Sequence, residues 1–157
     1  MSKIFFLSQK NYNQPEILPD KFESGTPNFI GIAGLSSGID FIKSKGILNI
    51  YNKEIELIKL AYDDLKNISG VKLYTKKPDI KYFVPVLSFN IENIDCETIS
   101  SILSEKFNIA TRSGLHCAPL AHKSYNTLDA GTVRIVPSVF TTKTDIKSLV
   151  YAVNKIK

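Results

Sequence analysis

The stretch VPVLSFNI (84–91) decides the fold. Val84, Val86, Ser88 and Asn90 alternate with Leu87, Phe89 and Ile91, the two-residue period of a strand with one apolar face. Just upstream, VKLYT (71–75) reads as a second strand, and the Lys-Pro turn at 76–79 makes the two a hairpin. Further upstream the period changes. Ile50, Ile55, Leu57, Ile58, Ala61, Leu65 and Ile68 form the stripe of a helix over about 49–68, stopped at Gly70. Ile32, Leu35, Ile39 and Ile42 give another helix over 31–46, stopped at Gly46. Before it, Pro15, Pro19, Gly25 and Pro27 make 1–28 an extended, turn-rich lead-in.

Downstream of the central strand, Asp95 is placed to cap a helix over 96–106. NIATRSG (108–114) reads as a strand, 115–130 as a long loop or short helical turns, and GTVRIVPSVF (131–140) as a strand interrupted at Pro137. Thr142 or Thr144 caps a last helix ending near Ile156. The expected fold is α+β, a small and mostly antiparallel sheet with helices packed on one face. There is no repeat and no low-complexity tract.

The chain has 157 residues, 43% hydrophobic and 22% charged, enough for one self-standing core. Its apolar runs are short and broken, so no membrane-spanning helix is expected. The net charge of +5 comes from scattered lysines, and nucleic acid is not an expected partner. No signal peptide is evident, which makes a cytoplasmic, reducing setting and two free thiols, Cys96 and Cys117, the default. No spacing suits a structural metal.

The scarce side chains crowd together. Both arginines, Arg112 and Arg134, both histidines, His116 and His122, and Cys117 fall within 112–134. Cys117 follows a histidine and a nearby arginine, and neighbouring positive charge favours the nucleophilic thiolate. A small buried cysteine is the plainer alternative. Arg134 alternates with Val133 and Ile135, and is either a solvent-facing residue or a fork for a carboxylate.

RSGLHCAPLAHK (112–123), followed by GTVRIVPSVFTTKTDI (131–146), resembles the C-terminal small domain of the cysteine desulfurase and selenocysteine lyase branch of the class V aminotransferases. QPEILPDKFESGTPNFIGIAGLSSGIDFI (14–42) resembles the same family's Gly-Thr-Pro-Asn segment and the helices after it. The resemblance covers 12–157. It implies that Cys117 takes sulfur from L-cysteine as a persulfide, yielding alanine, and that Arg134 holds the substrate carboxylate. By the same resemblance His116 assists proton movement, and Thr26 reaches the pyridoxal phosphate of a neighbouring subunit in a homodimer. A sulfur-acceptor protein and a place in iron-sulfur cluster assembly are implied too. The sequence departs from the family after Arg134, where Val136-Pro137-Ser138 and Phe140-Thr141-Thr142 stand for Ser and aromatic-Asn-Thr.

The family's Schiff-base lysine follows a histidine and precedes the Gly-Thr-Pro-Asn segment. His122-Lys123 lies after that segment, and Lys123 reads as a surface lysine. The expectation is a fragment, with a lead-in over 1–29 and the small domain over 30–157, which lacks the large cofactor-binding domain and is inactive alone. The alternatives are a stand-alone sulfur carrier or partner-binding domain, and a class V lyase with another substrate.

Overall fold

The computed structural model describes residues 16–22, 25–79 and 83–156. They form two compact units that divide between Ser44 and Lys45. The expected lead-in falls partly outside the described residues. Its described part consists of bends and turns around a 3-10 turn at Asp20–Phe22. Helix α1 (Phe29–Lys45) then forms where the apolar spacing predicts it, yet no residue of α1 is buried.

The second unit opens with α2 (Ile47–Leu65), which buries Ile55, Leu57, Ile58, Ala61 and Leu65, five of the seven stripe residues. Strands β1 (Val71–Leu73), β2 (Leu87–Ile91) and β3 (Val133–Ile135) form one antiparallel sheet in that order. Phe89 is the register point, facing Leu73 on one side and Val133 on the other. Along β2 burial alternates as the sequence requires. Leu87, Phe89 and Ile91 enter the core, while Ser88 and Asn90 take the opposite face.

Three helices cover the apolar face. Alongside α2 lie α3 (Cys96–Phe107) and, after the short α4 (Pro119–Ser124), α5 (Lys143–Ile156); Ile99 and Leu103 of α3 and Leu149 and Val153 of α5 join the cluster around Phe89. Burying a side chain such as Phe89 stabilises the fold by about 1.5–3 kcal/mol. Asp95 caps α3 as expected. Its carboxylate accepts from the Thr98 N–H and hydroxyl, both at 2.7 Å, and these bonds hold the carboxyl below its ordinary range. Thr142 and Asp145 cap α5 reciprocally. Asp145 accepts from the Thr142 N–H at 2.8 Å and donates its own N–H to the Thr142 hydroxyl at 3.2 Å.

All four expected strands fall short of what the sequence suggested, the one over 71–75 ending at Leu73. The chain enters β2 at Leu87, because the Val86 N–H turns back to the Val84 carbonyl at 2.6 Å. Residues 108–114 form no regular strand. Asn108 leaves α3 in the left-handed conformation, and only Arg112 makes a ladder bridge, to Arg134. The segment 131–140 is strand only at Val133–Ile135, because Pro137 has no N–H to give and 138–141 closes a turn.

Candidate active site

The polar face of β2 looks onto the 112–134 window. Arg112 and Arg134 exchange both backbone hydrogen bonds, at 3.2 and 2.7 Å. In an antiparallel pair of this kind the two side chains project from the same face. Like charges directly opposite repel, so the arrangement favours a negative group beside it. Arg112 Nη2 lies 3.9 Å from Cys117 Sγ. The Nε of Arg134 is buried and has no partner among the described residues. A buried donor left unpaired costs about 1–3 kcal/mol, and more when charged. A bound carboxylate would answer that deficit.

Gly114 and Thr132 continue the pairing, N–H to carbonyl, at 3.1 and 3.2 Å. The chain then reverses in a four-residue turn, with the Ala118 N–H donating to the Leu115 carbonyl at 2.9 Å. Its two central residues, His116 and Cys117, have φ of +52° and +57°. Turns of this hand normally carry Asn and Gly. Histidine and cysteine pay a conformational cost there, which a surrounding structure must hold in place. The turn raises Cys117 to the surface, while Cys96 is buried. Burial pushes the Cys96 thiol up, toward the protonated form.

His116 is tied to Thr132. Its Nε2 lies 3.0 Å from the Thr132 carbonyl oxygen and 3.2 Å from the Thr132 hydroxyl. A carbonyl only accepts, so Nε2 carries the proton and Nδ1 keeps its lone pair. Nδ1 is buried with no partner among the described residues. Burial, and then the charge of Arg134, push the His116 pKa below its ordinary value, which keeps the ring neutral at pH 7. His122 packs beside it, ring centroids 5.7 Å apart, and its Nδ1 meets the Thr127 hydroxyl at 2.8 Å.

These groups surround a cavity of about 290 Å³, bounded by Tyr74, Ser88, His116, His122, Thr132 and Arg134 among others. Cys117 does not line it, but its neighbours His116 and Ala118 do. Among the described residues no lysine lines it, and Lys123 is exposed, as the sequence suggested. The hollow beside Phe107 and Tyr151 holds no thiol, imidazole or guanidinium.

Of the four residues given roles from the sequence, the structure sets His116 and Arg134 on one cavity and places Cys117 outside its lining, 3.9 Å from Arg112. Thr26 is exposed in a bend of the first unit. Sequence reasoning missed Thr132, Thr127 and Asn90. Asn90 and Ser88 did carry a signal, as polar residues on one face of a strand whose other face is wholly apolar.

The Aminotransferase class-V family matches residues 2–149. A probable cysteine desulfurase of Xylella fastidiosa is 32% identical over 146 residues, covering 93% of this chain and 33% of that protein. One from Methanothermobacter thermautotrophicus is 34% identical over 135 residues, covering 85% and 33%. Among solved structures, the apo cysteine desulfurase of Thermococcus onnurineus superposes with a TM-score of 0.77 at 30% identity, covering 88% of this chain and 33% of that one. The chain thus spans about a third of the length of these relatives. The family match leaves little of the sequence outside it, and the chain belongs to the aminotransferase class-V family.

Proposed function

We propose that this chain is the small domain of a pyridoxal phosphate-dependent cysteine desulfurase, with 1–29 leading into 30–157. On this reading Cys117 receives sulfur from L-cysteine. The observation that carries it is an exposed thiol on a strained turn, 3.9 Å from Arg112, which is itself bridged to Arg134. The relatives named cysteine desulfurase support the same assignment.

Each residue then has a task its geometry suits. Arg134 holds the substrate α-carboxylate through its half-buried guanidinium, whose buried Nε has no partner among the described residues. Cys117 sulfur attacks the substrate sulfur, and a new S–S bond forms as the Cβ–S bond breaks. The electron pair of that bond goes to Cβ, which is protonated to give alanine. Arg112 stabilises negative charge on sulfur as the thiolate forms. The neutral His116 has a free lone pair at Nδ1 for the proton.

The residues of the cavity fit the carboxylate and thiol side of this chemistry. They do not fit the cofactor's own seat, since none of those among the described residues is a lysine that could bind the aldehyde. That lysine belongs, on this reading, to another part of a parent enzyme. The parent works as a cytoplasmic homodimer, with Thr26 reaching the phosphate of the partner's cofactor, and it hands sulfur to an acceptor protein for uses such as iron-sulfur cluster assembly. The 157-residue chain alone is inactive.

The test is mass spectrometry of the parent enzyme after exposure to L-cysteine. The peptide containing Cys117 is expected to gain the mass of one sulfur atom while alanine accumulates, and Cys117→Ser to abolish both. Alanine production undiminished in Cys117→Ser would overturn the assignment. Sulfur uptake by the isolated chain from a persulfide donor, without alanine release by any parent, would favour a stand-alone sulfur carrier.

A further inference from the structure

We propose that Asn90 is the positioning residue of this site, holding Thr132 so that His116 is locked in its Nε2–H tautomer with Nδ1 free. The ladder between β2 and β3 has its last pair at Phe89 and Val133. One residue further along β2, the side chain of Asn90 takes over the role of backbone. Its Nδ2 donates to the Gly131 carbonyl at 2.9 Å, and its Oδ1 accepts from the Val133 N–H at 3.3 Å. The carboxamide therefore brackets Thr132 from both sides along the chain. The Tyr74 hydroxyl stands 3.5 Å from the same Nδ2 and completes its surroundings.

What Asn90 brackets is the group His116 depends on. Thr132 is 2% exposed, and its carbonyl receives both the Gly114 N–H at 3.1 Å and His116 Nε2 at 3.0 Å. With the 131–133 segment held, that carbonyl stays aimed at the imidazole, and the proton stays on Nε2. Released, the segment would let Thr132 present its hydroxyl alone, which accepts or donates and tolerates either tautomer. Arg134 follows two residues later, so the same clamp also sets where the guanidinium emerges. Asn90 touches none of the reacting atoms assigned above, and acts through Thr132.

The inference deepens the proposed function, but its test needs neither cysteine nor cofactor. Nitrogen-15 NMR of the imidazoles in the 157-residue chain reads the tautomer directly. There are two histidines, and His122→Gln assigns the pair. In the wild type His116 is expected to show one protonated and one bare nitrogen, widely separated in shift, with the proton on Nε2. In Asn90→Leu that separation should shrink as the two tautomers exchange. Leu149→Ala, a destabilising change in the buried cluster on α5, should leave it unchanged, which a merely structural role for Asn90 would not predict. Should Asn90→Leu fail to fold, Asn90→Asp answers the same question, since it keeps the acceptor for Val133 and sets an oxygen against the Gly131 carbonyl. A folded Asn90 variant with the wild-type His116 pattern refutes the proposal. If Cys117 proves to carry no sulfur while the tautomer responds as expected, the Asn90 assignment stands and the desulfurase reading falls.

Discussion

Replacing Gly131 with alanine should destabilise the second unit by about 2–5 kcal/mol. The figure has two parts. Gly131 has a φ of +58°, where a side chain costs about 1–2 kcal/mol. A Cβ there would also sit 2.9 Å from Gly114 Cα, 3.2 Å from Gly114 C and 3.0 Å from Cys96 Sγ. Two of these are backbone atoms of the paired segment and cannot swing aside, so overpacking adds about 1–3 kcal/mol. Gly70→Ala isolates the first part. Its φ is +80°, but the nearest atoms, on Glu92, are 4.0 Å away, so only the conformational cost of about 1–2 kcal/mol applies. Urea unfolding of both variants gives the comparison. With a slope of about 1–3 kcal/mol per molar, the excess loss in Gly131→Ala should move its midpoint further down by roughly 1 M. Equal losses in the two variants would refute the reasoning, because they would mean that Gly114 and Cys96 yield freely to a methyl group.

Other outcomes are expected of the same unfolding assay and of pH titration. Phe89→Ala should cost about 3–5 kcal/mol, since the ring is wholly buried where three strands and three helices meet; a loss under 1 kcal/mol would mean the core collapses onto the gap. Asp95→Ala should lower the unfolding midpoint at neutral pH, and the difference from wild type should fade as pH drops below about 4. The folded carboxyl lies below its unfolded value, so its contribution is present above that value and disappears as the pH falls through the folded one. His116 works in the same direction at higher pH. Its folded pKa is depressed by burial and then by Arg134, so the wild type should lose stability as pH falls from about 6.5, and His116→Gln should remove that slope.

The sheet and its helices were readable because local rules wrote them. The alternation in 84–91 fixed which side of β2 faces the core, and Asp95 announced the start of α3. The overlong strands had a different cause. Residues 108–114 and 131–140 have strand-like composition, but Asn108 in the left-handed conformation and Pro137 without an N–H limit the pairing to a few residues. At the site, the identities of Cys117, His116 and Arg134 were legible from their crowding. The hydrogen bonds that give them geometry were not. Asn90 reaches Gly131 and Val133 across more than forty positions of chain, and Thr132 looks like any strand threonine until His116 turns onto it. The turn itself was hidden because His-Cys occupies the place where local rules ask for Asn-Gly.

The two cysteines face opposite conditions within one small unit. Cys117 is open to reagents on its turn, whereas Cys96 is 1% exposed, at the start of α3 and against Gly131. A thiol reagent therefore meets them on separate clocks. Labelling of the first follows the chemistry at the surface of the site, and labelling of the second waits for the 114 and 131 segments to part. The slower clock measures how often the pairing beneath the site comes undone, and the chain carries that gauge without any probe being added.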